Sequence, residues 1–304
     1  MDAGLTGWMH EGQVEVDPDA LAAAIAEQAP QFARLPLRRL RSAGTVVAPF
    51  RLGDHHVARL PLVPVSDAAA RNRLATEAAH GRFLQGRLPV AVPQPVLLGE
   101  PFDGYPGVWS IWTWLDGASL DQSPAPTSIE LADDLAATLT TFHRLPCSGE
   151  WNGVGRGAHP LADTDWVRTS IAASAHLIDA EAATAVWDDA LAARPIEGAA
   201  RYIHGDPVPG NLLVSNGRLS GLIDIAEPSR GDPASDLAPA WTVFDEPART
   251  RFRDAMGLDE AAWQRGRGWA LEMAIGGLHY YEHSNPSFFQ MARRTLDRLL
   301  SSRV

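Results

Sequence analysis

Lysine is missing from this 304-residue chain, so all 26 of its basic residues are arginine. Cysteine is nearly missing too. A single one, Cys147, excludes an internal disulfide framework and a cysteine-based zinc cluster. Nowhere do about 18 apolar residues run without interruption, which argues against a membrane-spanning helix. Residues 1–13 show no basic stretch followed by an apolar core. No secretory leader is therefore expected, and a soluble, cytoplasmic protein is the default. Positive charge is in short supply: 26 basic residues face 37 acidic ones, a formal net charge of −11. Neutralising a phosphate backbone needs a basic face, so nucleic acid is not an expected partner. The acidity is compatible with a cationic small molecule, and equally with the Ala- and Arg-rich composition that a GC-rich genome gives.

What is present suits two lobes. The hydrophobic content is 45%, enough for each to bury a core. Asp17-Pro18 opens a helix, with Asp as N-cap and Pro at the first helical position, and Pro30 closes it. Residues 37–44 and 46–52 read as strands around a loop containing Gly44-Thr45. Pro49 lacks a backbone donor, which points to an edge strand or a bulge. Gly53-Asp54 turns a hairpin into a third strand at 55–60. Ser66 and Asp67 can cap a helix to about residue 85, and 96–99 and 108–114 read as two more strands. A Gly-, Ser-, Pro- and Asp-rich connection at 115–127 follows, and beyond it the pattern turns helical. Helices are expected near 128–143, 163–178, 180–193, 233–242, 247–256, 259–283 and 286–302. A hairpin at 212–214 and 219–223, turned by Asn216-Gly217, interrupts them.

Just before that hairpin stands His204-Gly205-Asp206-Pro207-Val208-Pro209-Gly210-Asn211. This H-x-D-x-x-x-x-N spacing is the one that phosphoryl-transfer catalytic loops use. Asp206 is placed to accept a proton from a substrate hydroxyl. Pro207 and Pro209 stiffen the loop and hold that carboxylate at low entropic cost. Asn211, and Asp224 at the end of the next strand, are oxygen donors suited to a magnesium ion that also binds nucleotide phosphates. His204 joins them in the catalytic loop, with bracing of the loop its more natural task than proton transfer. The competing reading of the stretch is a rigid, non-catalytic proline turn. Asp232 precedes Pro233 and suits an N-cap, whereas Asp236 fits either a cap or a hydrogen bond to the catalytic loop.

Upstream, Arg59 on the third strand can hold nucleotide phosphates, with Glu77 of the following helix as its partner. An ordinary Arg73–Glu77 i,i+4 bridge is the rival. Gly44-Thr45 reads either as a turn over the phosphates or as a plain β-turn. Around Trp112 and Trp114, the backbone of 110–114 can hydrogen-bond a purine, though tryptophans more commonly pack cores. Glu272, His279, Tyr280 and Glu282 fall near one another on the 259–283 helix. They suit contact with a polar acceptor, or a plain solvated face.

Taken together these residues resemble the aminoglycoside phosphotransferase family, across most of the chain. His204-Gly205-Asp206…Asn211-Leu212-Leu213 is similar to its catalytic loop, and Leu222-Ile223-Asp224 to its metal-binding strand. Gly231-Asp232-Pro233…Asp236-Leu237-Ala238 matches the segment after that strand. Arg51-Leu52-Gly53-Asp54…Ala58-Arg59-Leu60-Pro61, Gly104-Tyr105-Pro106…Trp109-Ser110 and Arg265-Gly266-Arg267-Gly268-Trp269-Ala270-Leu271 look like actinobacterial members. The resemblance implies an α+β, two-lobed protein-kinase-like fold. An N-terminal antiparallel sheet with one helix, 1–115, would be the nucleotide-binding lobe. A mainly helical 116–304 would be the catalytic and substrate-binding lobe. It also implies Asp206 as catalytic aspartate, Asn211 and Asp224 as magnesium ligands, and Arg59 with Glu77 as the phosphate-binding pair. Departures occur: Arg replaces the usual Lys at 59, Pro207-Val208 stands for a Leu-His pair, and 225–230 lacks the usual aromatic and Gly.

The expected activity is transfer of the γ-phosphate of ATP or GTP to a hydroxyl of an antibiotic-like small molecule, such as an aminoglycoside, macrolide or nucleoside antibiotic. Two alternatives stand beside it. One is a metabolic or biosynthetic kinase for an amino alcohol, sugar or natural-product precursor, and the other an inactive nucleotide-binding module.

Overall fold

The computed structural model describes residues 11–40, 46–121, 128–147, 156–158, 164–197, 200–225 and 229–301. Gly44 and Thr45 lie outside them. The fold is mixed α/β, with an antiparallel N-terminal sheet and a helical C-terminal region. The chain divides into two compact units. The first comprises Met1–Gln85, Val92–Leu115 and Ile225–Glu227, and the second Gly86–Ala91, Asp116–Asp224 and Pro228–Val304. Two short excursions have local causes. Ala91 forms a parallel bridge with Gly221 in the second unit, and the Ile225 carbonyl accepts a hydrogen bond from His80 Nδ1 in the first.

In the first unit, helix α1 (Pro18–Gln28) starts where Asp17 accepts a hydrogen bond from the Asp19 N–H. Its Leu21, Ala24 and Ile25 repeat at i, i+3 and i+4 and are buried. The sheet runs in the order β1-β2-β3-β5-β4. Its strands are β1 (Leu37–Arg39), β2 (Val47–Leu52), β3 (His56–Pro61), β4 (Pro95–Gly99) and β5 (Trp109–Thr113). Alternation sends Ala48, Phe50, Leu52, Ala58, Leu60 and Ile111 to one face, where they form a core with Leu21, Ala24 and Ile25 of α1. Each large side chain there contributes about 1.5–3 kcal/mol by leaving water. The other face carries Arg59, paired in register with Ser110, and Trp112. Helix α2 (Ala68–Leu84), capped by the Asp67 side chain on the Ala70 N–H, meets that face. Gly81 is required there, because a Cβ would come within 2.9 Å of the Trp112 ring.

Pro49 corrects the expectation of an edge or bulge. Its strand β2 is internal, paired regularly between β1 and β3. The Pro49 carbonyl accepts from Leu40 N–H just past the end of β1. Its missing donor therefore points to the side where β1 has stopped, and costs the ladder little.

The second unit opens with β6 (Ala118–Ser119), followed by helices α3 (Ile129–His143), α4 (Thr164–Ala173) and α5 (Ala180–Ala192). Strand β7 (Arg201–Ile203) leads into the H-x-D loop. The hairpin β8 (Leu212–Ser215) and β9 (Arg218–Leu222) follows it, with Asn216 and Gly217 both at positive φ as a tight turn demands. Then come β10 (Ser229–Gly231), a 3-10 turn at Pro233–Leu237, α6 (Pro239–Thr242), α7 (Glu246–Met256), α8 (Glu260–Tyr280) and α9 (Pro286–Ser301). Two short antiparallel sheets, β6-β8-β9 and β10-β7, carry the loop between them. Helix α8 is buried on most sides, with Trp269, Leu271, Ile275 and Leu278 enclosed by α4, α5, α9 and the 233–237 turn. Even Arg265 and Arg267 on it are buried. Among the described residues no helix is long and apolar enough to cross a membrane.

Candidate functional site

The H-x-D loop is held from behind by one buried carboxylate. Asp236, 0% exposed, accepts from the backbone N–H of His204 at 3.0 Å and of Gly205 at 2.8 Å. It also pairs with His143 Nε2 at 2.9 Å. Of its two readings from sequence, the bond to the loop is the one the structure adopts. Burial opposes its ionisation, yet the hydrogen bond and charge of His143, with His204 and the Gly205 N–H, outweigh that cost. They hold the carboxyl below its ordinary value. Asp232 caps the 233–237 turn through the Ala234 N–H at 3.0 Å and forms a buried ion pair with Arg265. Gly266 lets α8 approach the same turn, since a Cβ there would meet Leu237 Cβ at 2.7 Å. A helix core thus fixes a turn, and the turn fixes the loop.

His204 uses both ring nitrogens within the loop. Nδ1 accepts from the Asp206 N–H at 3.2 Å, and Nε2 lies 3.1 Å from the Ile223 carbonyl. The bonds fit the Nε2–H tautomer, and they make His204 a brace joining the loop to the hairpin. Gly205 sits at φ +78°, which a side chain rarely tolerates.

Asp206 presents its carboxylate at the surface of the unit, with 36% of the side chain exposed. Its backbone carbonyl accepts from the Val208 N–H at 2.8 Å and from Asn211 Nδ2 at 2.9 Å. The amide nitrogen of Asn211 is therefore spent on holding the loop, and its oxygen is the end left to accept. The Ile223 N–H donates to the Asn211 carbonyl at 3.0 Å, which brings Asp224, one residue further, to the same end of the hairpin. Asp224 is exposed and adopts the left-handed conformation, φ +59°, that Asp tolerates better than most residues. The structure thus brings His204, Asp206, Asn211 and Asp224 together.

One neighbour of Asp206, Arg156, escaped the sequence reading. Arg156 Nη1 donates to Asp206 Oδ1, and Arg156 Nε lies 3.5 Å from Glu272 Oε2 on α8. Burial works against the charge of Arg156, but the carboxylates of Asp206 and Glu272 outweigh it and raise its pKa above the ordinary guanidinium value. Glu272, with a side chain 12% exposed, departs from the solvated face weighed for it. The only local signal for Arg156 was an arginine isolated between glycines, Gly155-Arg156-Gly157.

In the first unit, Arg59 and Glu77 form an ion pair, 25% and 16% exposed. The pair forms because register puts Arg59 on the α2 face of the sheet. Trp112 stands as a correction to the purine-binding expectation. It is 1% exposed, and its indole N–H donates to Ser110 Oγ at 2.8 Å, so it is a core residue with no open face for a base. Trp114 is half-buried, and the Arg51 guanidinium covers its ring at 3.7 Å. The backbone N–H groups of Thr113 and Trp114 bond Gln94 and His55 carbonyls.

Comparison with known proteins agrees with this architecture. A family model described as the phosphotransferase enzyme family, APH, matches residues 38–269. The GDP complex of wild-type aminoglycoside 2'-phosphotransferase-IIIa shares the fold at a TM-score of 0.65 and 15% identity, covering 94% of this chain and 99% of that one. A macrolide 2'-phosphotransferase type I shares it at 0.61 and 20% identity, covering 93% and 98%. The uncharacterized protein YcbJ of Bacillus subtilis (strain 168) is 38% identical over 74 residues, 24% of this chain. That match spans about a fifth of the curated relative, 22% of its length. The chain belongs to the phosphotransferase enzyme family.

Proposed function

We propose that this protein moves the γ-phosphate of ATP or GTP to a hydroxyl of an antibiotic-like small molecule such as an aminoglycoside, macrolide or nucleoside antibiotic, giving resistance or self-protection. The observation that carries the reading is the carboxylate of Asp206, partly exposed on a loop whose backbone is locked by Asp236 and His204. Such fixed placement is what phosphoryl transfer asks of a protein, since alignment and charge neutralisation supply most of the catalysis. Asp206 would accept the proton of the acceptor hydroxyl as its oxygen attacks the γ-phosphorus. His204 acts on that step by fixing the loop.

Asn211 and Asp224 would hold magnesium. The donor set fits: the Asn211 amide nitrogen is committed to the Asp206 carbonyl, which leaves oxygen at the ligand end, and Asp224 adds an exposed carboxylate. Magnesium supplies neutralisation of nucleotide phosphate charge when bound. Arg59, fixed by Glu77, would bind the nucleotide's phosphates, and its planar fork can hold two oxygens side by side. In the second unit Asp206 and Glu272 flank a single guanidinium, Arg156, which leaves one net negative charge for an acceptor with cationic character.

The test is a mass-spectrometric screen. Protein, magnesium and ATP or GTP are mixed with aminoglycosides, macrolides, nucleoside antibiotics and simple amino alcohols, with Asp206→Asn in parallel. A gain of one phosphate on an antibiotic, lost in the variant, supports the proposal. A gain confined to the amino alcohols moves the activity to metabolism, and no gain with any acceptor counts against it.

A further inference from the structure

We propose that Arg156 is the cation that stabilises the phosphoryl group as it passes to the acceptor at Asp206. The inference rests on the phosphotransferase reading above and assigns a further catalytic residue to it. It starts from a deficit: the loop from His204 to Asn211 contains no arginine and no lysine. The transferring phosphoryl spreads negative charge over three equatorial oxygens, and a fixed cation beside them lowers the barrier. That cation has to come from outside the loop.

Arg156 is where it is needed. Its Nη1 donates to Asp206 Oδ1, and its Nε end is held 3.5 Å from Glu272 Oε2 on the buried helix α8. Both side chains, Arg156 and Asp206, are 36% exposed, so the pair is partly open to solvent. Five N–H donors on one planar fork let it keep a bond to a carboxylate while turning others to phosphoryl oxygens. Lysine has three donors on one nitrogen but lacks the planar fork that spans both partners.

The root of Arg156 is as firmly placed as the loop. Gly157, at φ +95°, lies so close to β7 and β10 that a Cβ would come within 2.5 Å of Ile203 Cδ1 and 3.2 Å of Gly231 Cα. The Gly157 carbonyl accepts from the Asp232 N–H at 2.7 Å. Asp232 caps the same 233–237 turn whose Asp236 grips His204 and Gly205. Base and cation are therefore set by one turn, although 50 residues separate them in sequence. In the reaction the bond from the γ-phosphorus to the nucleotide's bridging oxygen breaks and a bond to the acceptor oxygen forms. The acceptor proton goes to Asp206. Arg156 donates hydrogen bonds to non-bridging oxygens and neither gains nor loses a proton.

A rival role would have Arg156 block Asp206 until an acceptor displaces it. The two roles predict opposite signs when water is the acceptor. The full-length protein is given magnesium with ATP or GTP, and released inorganic phosphate is measured for wild type, Arg156→Ala and Arg156→Lys. The proposal expects Arg156→Ala to lower kcat by about 10²–10³-fold, with nucleotide KM changed far less. Lysine recovers part of the rate, and free guanidinium in the millimolar range recovers part of it in the alanine variant. A rate equal to wild type, or a raised rate, overturns the proposal. Should Arg156→Ala fail to fold, Arg156→Lys decides: it must fall by about tenfold or more, because the fork is lost while the charge stays. If wild type matches Asp206→Asn and neither turns nucleotide over, the phosphotransferase reading itself has failed, and this inference falls with it. An active wild type whose rate the Arg156 variants match refutes the inference alone and leaves the phosphotransferase reading standing.

Discussion

Replacing Asp236 with alanine removes the anchor of the H-x-D loop, and its cost can be worked from the bonds lost. The carboxylate is 0% exposed and serves two backbone N–H groups and His143, at 3.0, 2.8 and 2.9 Å. Alanine leaves the His204 and Gly205 N–H groups buried and without an acceptor, at about 1–3 kcal/mol each. The expected loss is about 2–6 kcal/mol, a large share of the 5–15 kcal/mol by which domains of this kind are stable. Asp236→Asn keeps one oxygen, serves one of the two N–H groups, and should lose about half as much. Acid adds a second signature. Because the folded-state carboxyl lies below its ordinary 3.8, its contribution is complete above that value and is lost as pH falls through the folded-state value. The difference between wild type and Asp236→Asn should therefore shrink as pH falls below 3.8. Urea unfolding of both variants, repeated across that range, measures it. A loss under about 1 kcal/mol for Asp236→Ala would refute the assignment of Asp236 as the anchor.

Three further outcomes follow from the same geometry. Arg265→Ala strips the partner from buried Asp232 and should cost about 3–5 kcal/mol in denaturant unfolding, with Arg265→Lys recovering only part. Gly157→Ala forces a Cβ to 2.5 Å from Ile203 Cδ1 at a φ of +95°; it should cost about 1–3 kcal/mol and lower turnover by moving Arg156, read by unfolding and phosphate release together. Arg59→Ala and Glu77→Ala should each weaken nucleotide binding by about tenfold in calorimetry, and the double variant should be little worse than either, since one residue acts through the other.

The loop before the hairpin was legible because its residues are local: H-x-D-x-x-x-x-N and the Asn216-Gly217 hairpin need no knowledge of the rest of the chain. The helix starts at Asp17-Pro18 and Asp67 were legible for the same reason, each being a cap read over three or four residues. What stayed hidden depends on contacts across long stretches of sequence. Arg156 meets Asp206 only because Gly157 docks on β7 and β10, and no periodicity marks that docking. Glu272 carried two readings because α8 is buried nearly all round, so its apolar pattern names no single inward face. Trp112 carried two readings until the register of β5 against β3 turned it toward α2. Strands β6, β7 and β10 are two or three residues long, too short for alternation to show.

The central claim, that Asp206 serves phosphoryl transfer, is tested most directly by following nucleotide labelled at the γ-phosphate. Wild type and Asp206→Asn are each given magnesium, the labelled ATP or GTP and an antibiotic panel, in a single turnover. Transfer of label to an acceptor hydroxyl by wild type, slowed by about 10²–10⁴-fold in the variant, is the predicted result. Label transferred equally fast by Asp206→Asn would contradict it.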